Sequence, residues 1–266
     1  MFPGATADRE TAAYAVVGAP LDISTTFQPG TRFGPERIRR FARTFDDYDH
    51  HTDQFFTELA VHDHGDLRAW DDADEYLAFL EGTLSDLHDE GTVPLLLGGE
   101  HTVSVAGVRA AEPDVFVCLD AHLDLRAEYD GNDLSHATAT RHALDVADEA
   151  VILGARTGSP EEWERASEAD VTVVPPEDVP DWEPDLTGEV YLSVDIDGAD
   201  PAYAPGTGTM EPFGLTGREM RDVVRAVAPH ATAFDVVEVN DRDDGQAAAL
   251  AGKLLREFDY AHADAR

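Results

Sequence analysis

The stretch "DVFVCLDAHLDLRAEYDGNDLSHAT", residues 114–138, decides how the rest of the chain is read. Val115 to Leu119 form an unbroken apolar run with no polar alternation, the mark of a strand covered on both faces in a parallel sheet. The run ends in Asp120, His122 and Asp124, ionisable groups at alternate positions, and His136 follows a short loop later. Parallel α/β sheets bind ligands beyond the carboxyl ends of their strands. The stretch therefore predicts both a fold and the place in it where chemistry belongs.

Seven further apolar runs have the same character: 13–19, 58–63, 93–99, 150–155, 171–175, 190–196 and 234–240. Helical segments lie between many of them. Residues 72–90 carry Tyr76, Leu77, Leu80, Leu84 and Leu87 on one stripe, with Gly91 as a stop. Ser159 with Glu162, and Thr216 with Glu219, have the spacing of helix-opening capping boxes. A helix is expected over 101–111, directly after a glycine turn, and a last one over 246–258. Strands alternating with helices imply an α/β protein. A closed barrel of eight strands is an alternative. The long irregular connection 197–215 argues instead for an open three-layer α/β/α arrangement, an eight-stranded mainly parallel sheet in one domain spanning 1–266.

Charge is the strongest compositional fact. There are 55 Asp and Glu against 19 Lys and Arg, a formal net charge of −36, and Lys253 is the only lysine. Such a field repels nucleic acid and anionic membranes. Disorder is the other reading of high charge, but 42% apolar content in well-formed runs opposes it. The pattern suits a protein adapted to molar salt. Long-range steering of a cationic substrate is a poor explanation, because the Debye length at ~1 M salt is only ~3 Å. No apolar run reaches the length of about eighteen residues that a membrane helix needs. The first twenty residues have no signal-peptide pattern, and the single cysteine, Cys118, excludes an internal disulfide. A reducing cytoplasm is the expected compartment.

Three run ends carry candidate metal ligands: "LLLGGEH" with His101, "CLDAHLD" with Asp120, His122 and Asp124, and "LSVDIDGADP" with Asp195 and Asp197. In so acidic a chain a lone Asp-x-Asp is most simply a solvated face. Asp120 and Asp195, however, each follow a run expected to be buried, where a carboxylate is costly unless it is paired or bound to a cation. Carboxylates and imidazoles without thiolate suit two borderline-to-hard divalent ions. His62 and His64 read as structural. "GTGT" at 206–209 lacks the strand–glycine–helix context of a phosphate loop.

"GGEH", "DAHLD" and "SVDIDGADP" resemble the three signature blocks of the ureohydrolase family, which includes arginases and agmatinases. "PGTRFGPERIR" (29–39), "DHGD" (63–66), "EYDGNDLSHAT" (128–138), "APGTGTMEPFGLT" (204–216) and "VVEVN" (236–240) resemble further blocks in the same order. The resemblance implies two Mn2+, one held by His101, Asp120, Asp124 and Asp195, the other by Asp120, His122, Asp195 and Asp197. It implies that Glu238 aims a guanidinium, that Asp124 passes a proton to the leaving amine, and that His136 shuttles protons with solvent. A metal-activated hydroxide would attack the guanidino carbon.

The loop at 127–138 and the run at 200–212 look more like agmatinase than arginase, so agmatine, giving urea and putrescine, is the expected substrate. Aminopropyl-agmatine, 4-guanidinobutyrate, arginine and formiminoglutamate are alternatives. A zinc deacetylase of the related fold or a catalytically silent homologue are remoter ones. The family forms trimers or hexamers, so a homo-oligomer is implied. Leu134, Ala137, Met210, Phe213 and Asp241 depart from the usual agmatinase pattern, at positions expected to border the substrate entrance.

Overall fold

The apolar runs assemble into one parallel eight-stranded sheet in the computed structural model, which describes residues 1–266. In chain order the elements are β1 (Tyr14–Ala19), α1 (Gly34–Phe41), a small hairpin of β2 (Tyr48–Asp49) and β3 (Gln54–Phe55), β4 (Val61–Asp66), α2 (Ala73–Asp89), β5 (Val93–Gly98), α3 (Ser104–Ala111), β6 (Val115–Leu119), α4 (Ala139–Ala143), β7 (Glu149–Leu153), α5 (Pro160–Arg165), β8 (Val171–Val174), β9 (Val190–Asp195), α6 (Gly217–Val227), β10 (Ala231–Val237) and α7 (Gln246–Asp264). The strand order is β4-β1-β5-β10-β9-β6-β7-β8. Both ends of the sheet are open, so the barrel alternative fails and the three-layer arrangement holds.

Alternation along each strand builds the layers. Val16 and Leu95 pack with Ile38 of α1, Met220 of α6 and Leu254 of α7 on one face. Val17 and Leu96 pack with Leu80 of α2 and Val105 of α3 on the other. The stripe of α2, from Tyr76 to Leu87, is fully buried. Each such side chain contributes roughly 1.5–3 kcal/mol, and Leu80→Ala alone would cost about 2–5 kcal/mol. Asp72 caps α2 by accepting the Glu75 N–H at 3.0 Å. Gly91 stops it in the left-handed region at φ +81°.

Two strands depart from their expected bounds. The run at 58–63 begins pairing only at Val61, because residues 56–58 coil into a 3-10 turn and Ala60 turns left-handed at φ +57°. The last strand starts at Ala231 and stops at Val237, because Glu238 leaves the extended region at φ +61°. α5 is shorter than its capping box suggested, and α7 runs on to Asp264. His62 and His64 sit on the edge strand β4, where His62 Nδ1 meets the Ala7 carbonyl at 3.0 Å. No helix is long and apolar enough to cross a membrane.

β5 and β6 are consecutive in this sheet's chain path, yet β10 and β9 lie between them. The neighbours β6 and β9 send their onward connections in opposite directions, β6 to β7 and β9 to β10, and this reversal opens a crevice above the central strands. Across it, side chains from β5 to β6 span three inter-strand gaps, roughly 14 Å at the backbone.

Candidate metal centre

Each of those central strands delivers one piece of the site. His101 opens a 3-10 turn just after β5, Asp120 follows β6, Asp195 ends β9 and Glu238 follows β10. Gly99 makes the first delivery possible, since a Cβ there would run into the backbone of Leu21. Asp124 and Glu238 both hold left-handed backbone, at φ +50° and +61°. For residues with a Cβ this conformation costs on the order of 1–3 kcal/mol, a strain that concentrates at functional sites.

The six expected ligands converge. His101 Nδ1 lies 2.8 Å from Asp124 Oδ2, 3.2 Å from Asp120 Oδ2 and 3.4 Å from Asp195 Oδ2. His122 Nδ1 lies 3.1 Å from Asp197 Oδ2 and 3.4 Å from Asp120 Oδ1. Asp120 thus turns one oxygen to each cluster, as a bridging carboxylate would. Asp195 turns Oδ2 to His101, and its Oδ1 accepts the Asp197 N–H at 2.9 Å, as Asp120 Oδ1 accepts the His122 N–H at 2.7 Å. All four aspartates are at least 94% buried.

Hydrogen bonding behind His101 determines which of its nitrogens faces the carboxylates as a lone pair. Ser193 Oγ donates to Asp235 Oδ1 at 2.7 Å, and the Tyr191 hydroxyl donates to Asp235 Oδ2 at the same distance. A hydroxyl has one proton, so Ser193 can only accept from His101 Nε2, 3.2 Å away. Nδ1 then points a lone pair at three carboxylate oxygens and has no hydrogen-bond partner. Anionic oxygens around a lone pair repel unless a cation sits among them.

The electrostatics of the cluster make the same demand for positive charge. Burial would depress His101, yet its contacts with the Asp120 and Asp124 carboxylates hold it well above its ordinary range. His122 is likewise raised, burial being overcome by Asp197 and Asp120. Burial and the neighbouring Asp197 and Asp120 push Asp195 well above the usual carboxylate range. Burial and Asp120 push Asp124 up to about 7. Asp120 is drawn down: burial opposes, but His101 and His122 prevail. These groups compete for positive charge that divalent cations supply better than protons. The donor set of carboxylates and imidazoles fits hard-to-borderline ions.

Cys118 Sγ also comes within 3.8 Å of His101 Nε2 and 3.9 Å of Asp120 Oδ2. Geometry alone would group it with them as a third donor. Burial pushes its thiol up to about 12, so it stays protonated, and it faces His101 Nε2 and reaches Asp120 Oδ2 as a neutral donor rather than a thiolate. We therefore count Asp124 and Asp195, not Cys118, with His101.

A cavity of about 290 Å³ opens above the cluster. Its wall includes Glu238, His136, Arg126, Tyr129, Glu162 and Thr209. Glu238 Oε1 accepts the His101 N–H at 2.8 Å, and burial holds its carboxyl well above the ordinary range. Burial lowers His136 against the pull of Glu100. A larger hollow of about 520 Å³ lies beside Arg39, Arg40 and Arg43, away from these carboxylates.

Several supporting residues escaped the sequence reading. Thr209 Oγ1 donates to Asp197 Oδ2 at 3.0 Å. Arg156 donates to six carbonyls, those of Gly154, Asp197, Gly198, Ala199, Glu211 and Pro212, and so clamps the 197–215 connection that carries both. No local motif announces such an arginine. Of the five departures from the agmatinase pattern, only Ala137 lines the cavity. Phe213 is 87% exposed at φ +68°, Met210 is exposed, Asp241 lies against Gly30, and Leu134 packs at the edge of the core.

Known proteins show the same arrangement of fold and motif. The arginase family model matches residues 12–259. An agmatinase of Bacillus anthracis is 36% identical, the match covering 94% of this chain and 91% of that protein. An N(1)-aminopropylagmatine ureohydrolase of Thermococcus kodakarensis is 34% identical over 92% of this chain and 89% of its own. The crystal structure of the agmatine ureohydrolase of Thermoplasma volcanium superposes with a TM-score of 0.93 at 32% identity, covering 99% of this chain and 94% of that one. With histidines and aspartates gathered at its strand ends beneath a cavity, and this similarity along nearly its whole length, the chain belongs to the arginase family.

Proposed function

We propose that the chain is a binuclear manganese amidinohydrolase that hydrolyses agmatine to urea and putrescine. The observation that carries this reading is the pair of His–Asp clusters sharing Asp120 on the floor of a closed-in cavity. His101, Asp120, Asp124 and Asp195 would hold one ion, and Asp120, His122, Asp195 and Asp197 the other. When bound, the two cations supply the Lewis acidity that brings a water's pKa towards neutrality.

The chain's own residues do the rest. Glu238 spends one oxygen on the His101 N–H, leaving the other to accept from a guanidinium and aim its carbon at the cavity floor. Water adds to that carbon, the bond to the alkyl-bearing nitrogen breaks, and Asp124 gives that nitrogen the proton it needs to leave as an amine. His136 exchanges protons between the cavity and solvent. The net change consumes one water and releases urea.

Supporting the wider reading are the acid excess for a molecule adapted to molar salt and the free, buried Cys118 for a reducing cytoplasm. The whole chain acts as one domain, assembled as a trimer or hexamer of identical subunits. One observation favours a second substrate. Arg126 stands in the cavity wall with Nε 3.2 Å from Glu162, and its terminal nitrogens have no hydrogen-bond partner in the chain. A carboxylate tail, as in 4-guanidinobutyrate, would suit it.

The test is urea release in molar KCl with Mn2+ from agmatine, aminopropyl-agmatine, 4-guanidinobutyrate, arginine and formiminoglutamate. Highest kcat/KM for agmatine supports the proposal, and highest for 4-guanidinobutyrate supports the second reading. Urea from none of them would sink both.

A further inference from the structure

Glu100 is wholly buried beneath the loop of residues 20–30, and none of the roles above uses it. Its Oε2 accepts the backbone N–H of Ile23 at 2.8 Å, that of Ser24 at 2.7 Å and the Thr25 hydroxyl at 3.4 Å. Its Oε1 accepts the hydroxyls of Ser24 at 2.8 Å and Thr102 at 2.9 Å. Tethering a loop needs only the two backbone bonds. The Ser24 hydroxyl does something more, because its other side faces His136. Ser24 Oγ lies 3.0 Å from the His136 backbone N–H and 3.3 Å from ring Nδ1.

Proton counting fixes the direction of these bonds. The carboxylate only accepts, so the single Ser24 proton goes to Glu100, and Ser24 Oγ can only accept from the histidine. The ring must then carry its hydrogen on Nδ1. That leaves Nε2 as a lone pair on the cavity side, where the one neighbour is the Thr26 hydroxyl at 3.5 Å, at the limit of a hydrogen bond. A proton carrier needs one free nitrogen facing the substrate and the other held.

We propose that Ser24, itself held by Glu100, is a positioning residue for the reaction: it locks His136 in the Nδ1–H tautomer with Nε2 open to the cavity. The loop after β1 thereby becomes part of the proton path, although it holds no metal ligand. This rests on the reading of His136 as the proton carrier, so the experiment separates the two.

Ser24→Ala keeps both backbone bonds to Glu100 and removes the hydroxyl, with its bond to Glu100 and the acceptor it offers to Nδ1 and the backbone N–H of His136. In the Mn2+-loaded enzyme kcat should fall about tenfold, a fraction of the 10²- to 10⁴-fold that general acid–base catalysis supplies. KM and bound Mn2+ should be unchanged, and the solvent deuterium isotope effect on kcat should rise as proton transfer becomes limiting. Ser24→Thr, which keeps the hydroxyl, should restore kcat. His136→Asn is the control. If it retains full turnover, the proton-carrier reading itself is wrong. If it is impaired while Ser24→Ala is not, or if Ser24→Ala acts through KM or metal loss, the tautomer lock is wrong.

Discussion

Removing the Ser193 hydroxyl should weaken one metal position and spare the other. Ser193 stands between His101 Nε2 at 3.2 Å and Asp235 Oδ1 at 2.7 Å, in a part of the core with no solvent exposure. The first bond is long and worth about 1 kcal/mol net. The second is short and charge-assisted, of the class worth about 1.5–3 kcal/mol. In Ser193→Ala the ring loses the acceptor that holds its hydrogen on Nε2, so Nδ1 is no longer obliged to be the lone pair facing Asp120, Asp124 and Asp195. Loss of such a partner behind a ligand typically lowers metal affinity 10- to 100-fold, or about 1.4–2.7 kcal/mol. His122 is bonded to neither Ser193 nor Asp235, so its cluster should keep its ion. The assay is a Mn2+ titration in molar KCl, with free Mn2+ read by electron paramagnetic resonance. Wild type should bind two ions tightly, and the variant one tightly and one 10- to 100-fold more weakly. Two ions bound at wild-type affinity would falsify the argument that the serine relay sets the tautomer of His101.

Other consequences can be checked separately. Glu238→Gln keeps an oxygen for the His101 N–H but loses the charge that meets a guanidinium; kcat/KM should fall about 100-fold or more with Mn2+ content intact, and a smaller drop in steady-state kinetics would remove Glu238 from substrate binding. Asp259 is fully buried in α7, both its oxygens lack partners, and burial raises its pKa well above normal despite Arg256. The folded state therefore keeps a proton that the unfolded chain releases above about pH 4, so stability falls as pH rises from there, by up to ~1.4 kcal/mol per pH unit. Thermal melts of Asp259→Asn should show a flatter dependence between pH 4 and 7, and an unchanged slope would mean that Asp259 is ionised in the fold. With a net charge of −36, the melting temperature should climb by roughly 10 °C between 0.1 and 3 M KCl as the screening length falls from ~10 Å to ~2 Å. A flat or falling curve would dismiss the adaptation to salt.

The arrangement also shows why a very acidic surface and a working centre coexist. Carboxylates on the surface are solvated and screened by salt, so their number tells little about any one of them. Those at the strand ends are buried, and that desolvation, with their mutual repulsion added, pushes Asp195 and Asp124 above the ordinary carboxylate range. Burial, more than abundance, separates Asp120 and Asp195 from the many other acids of the chain.

Much of this was legible in the residues themselves. Unbroken apolar runs marked seven of the eight parallel strands, because a strand covered on both faces needs no polar alternation; the edge strand β4 is the polar stretch Val61–Asp66, which its run only overlaps. Capping residues marked the starts of α5 and α6, because an unpaired helix N–H needs a nearby side-chain oxygen. The six candidate ligands stood out because charged residues directly after buried runs demand a partner. Tertiary structure alone decided what those groups face. Strand order brought β5, β10, β9 and β6 side by side, and only then did residues 137 positions apart, His101 and Glu238, share a hydrogen bond. The tautomers of His101 and His136, the clamp of Arg156 and the tether of Glu100 all depend on distances across separate strands and loops. Local sequence records which groups a chain possesses and how each segment is pleated or coiled; which nitrogen meets which oxygen is settled by packing, since those partners are remote in the chain and adjacent only in the fold.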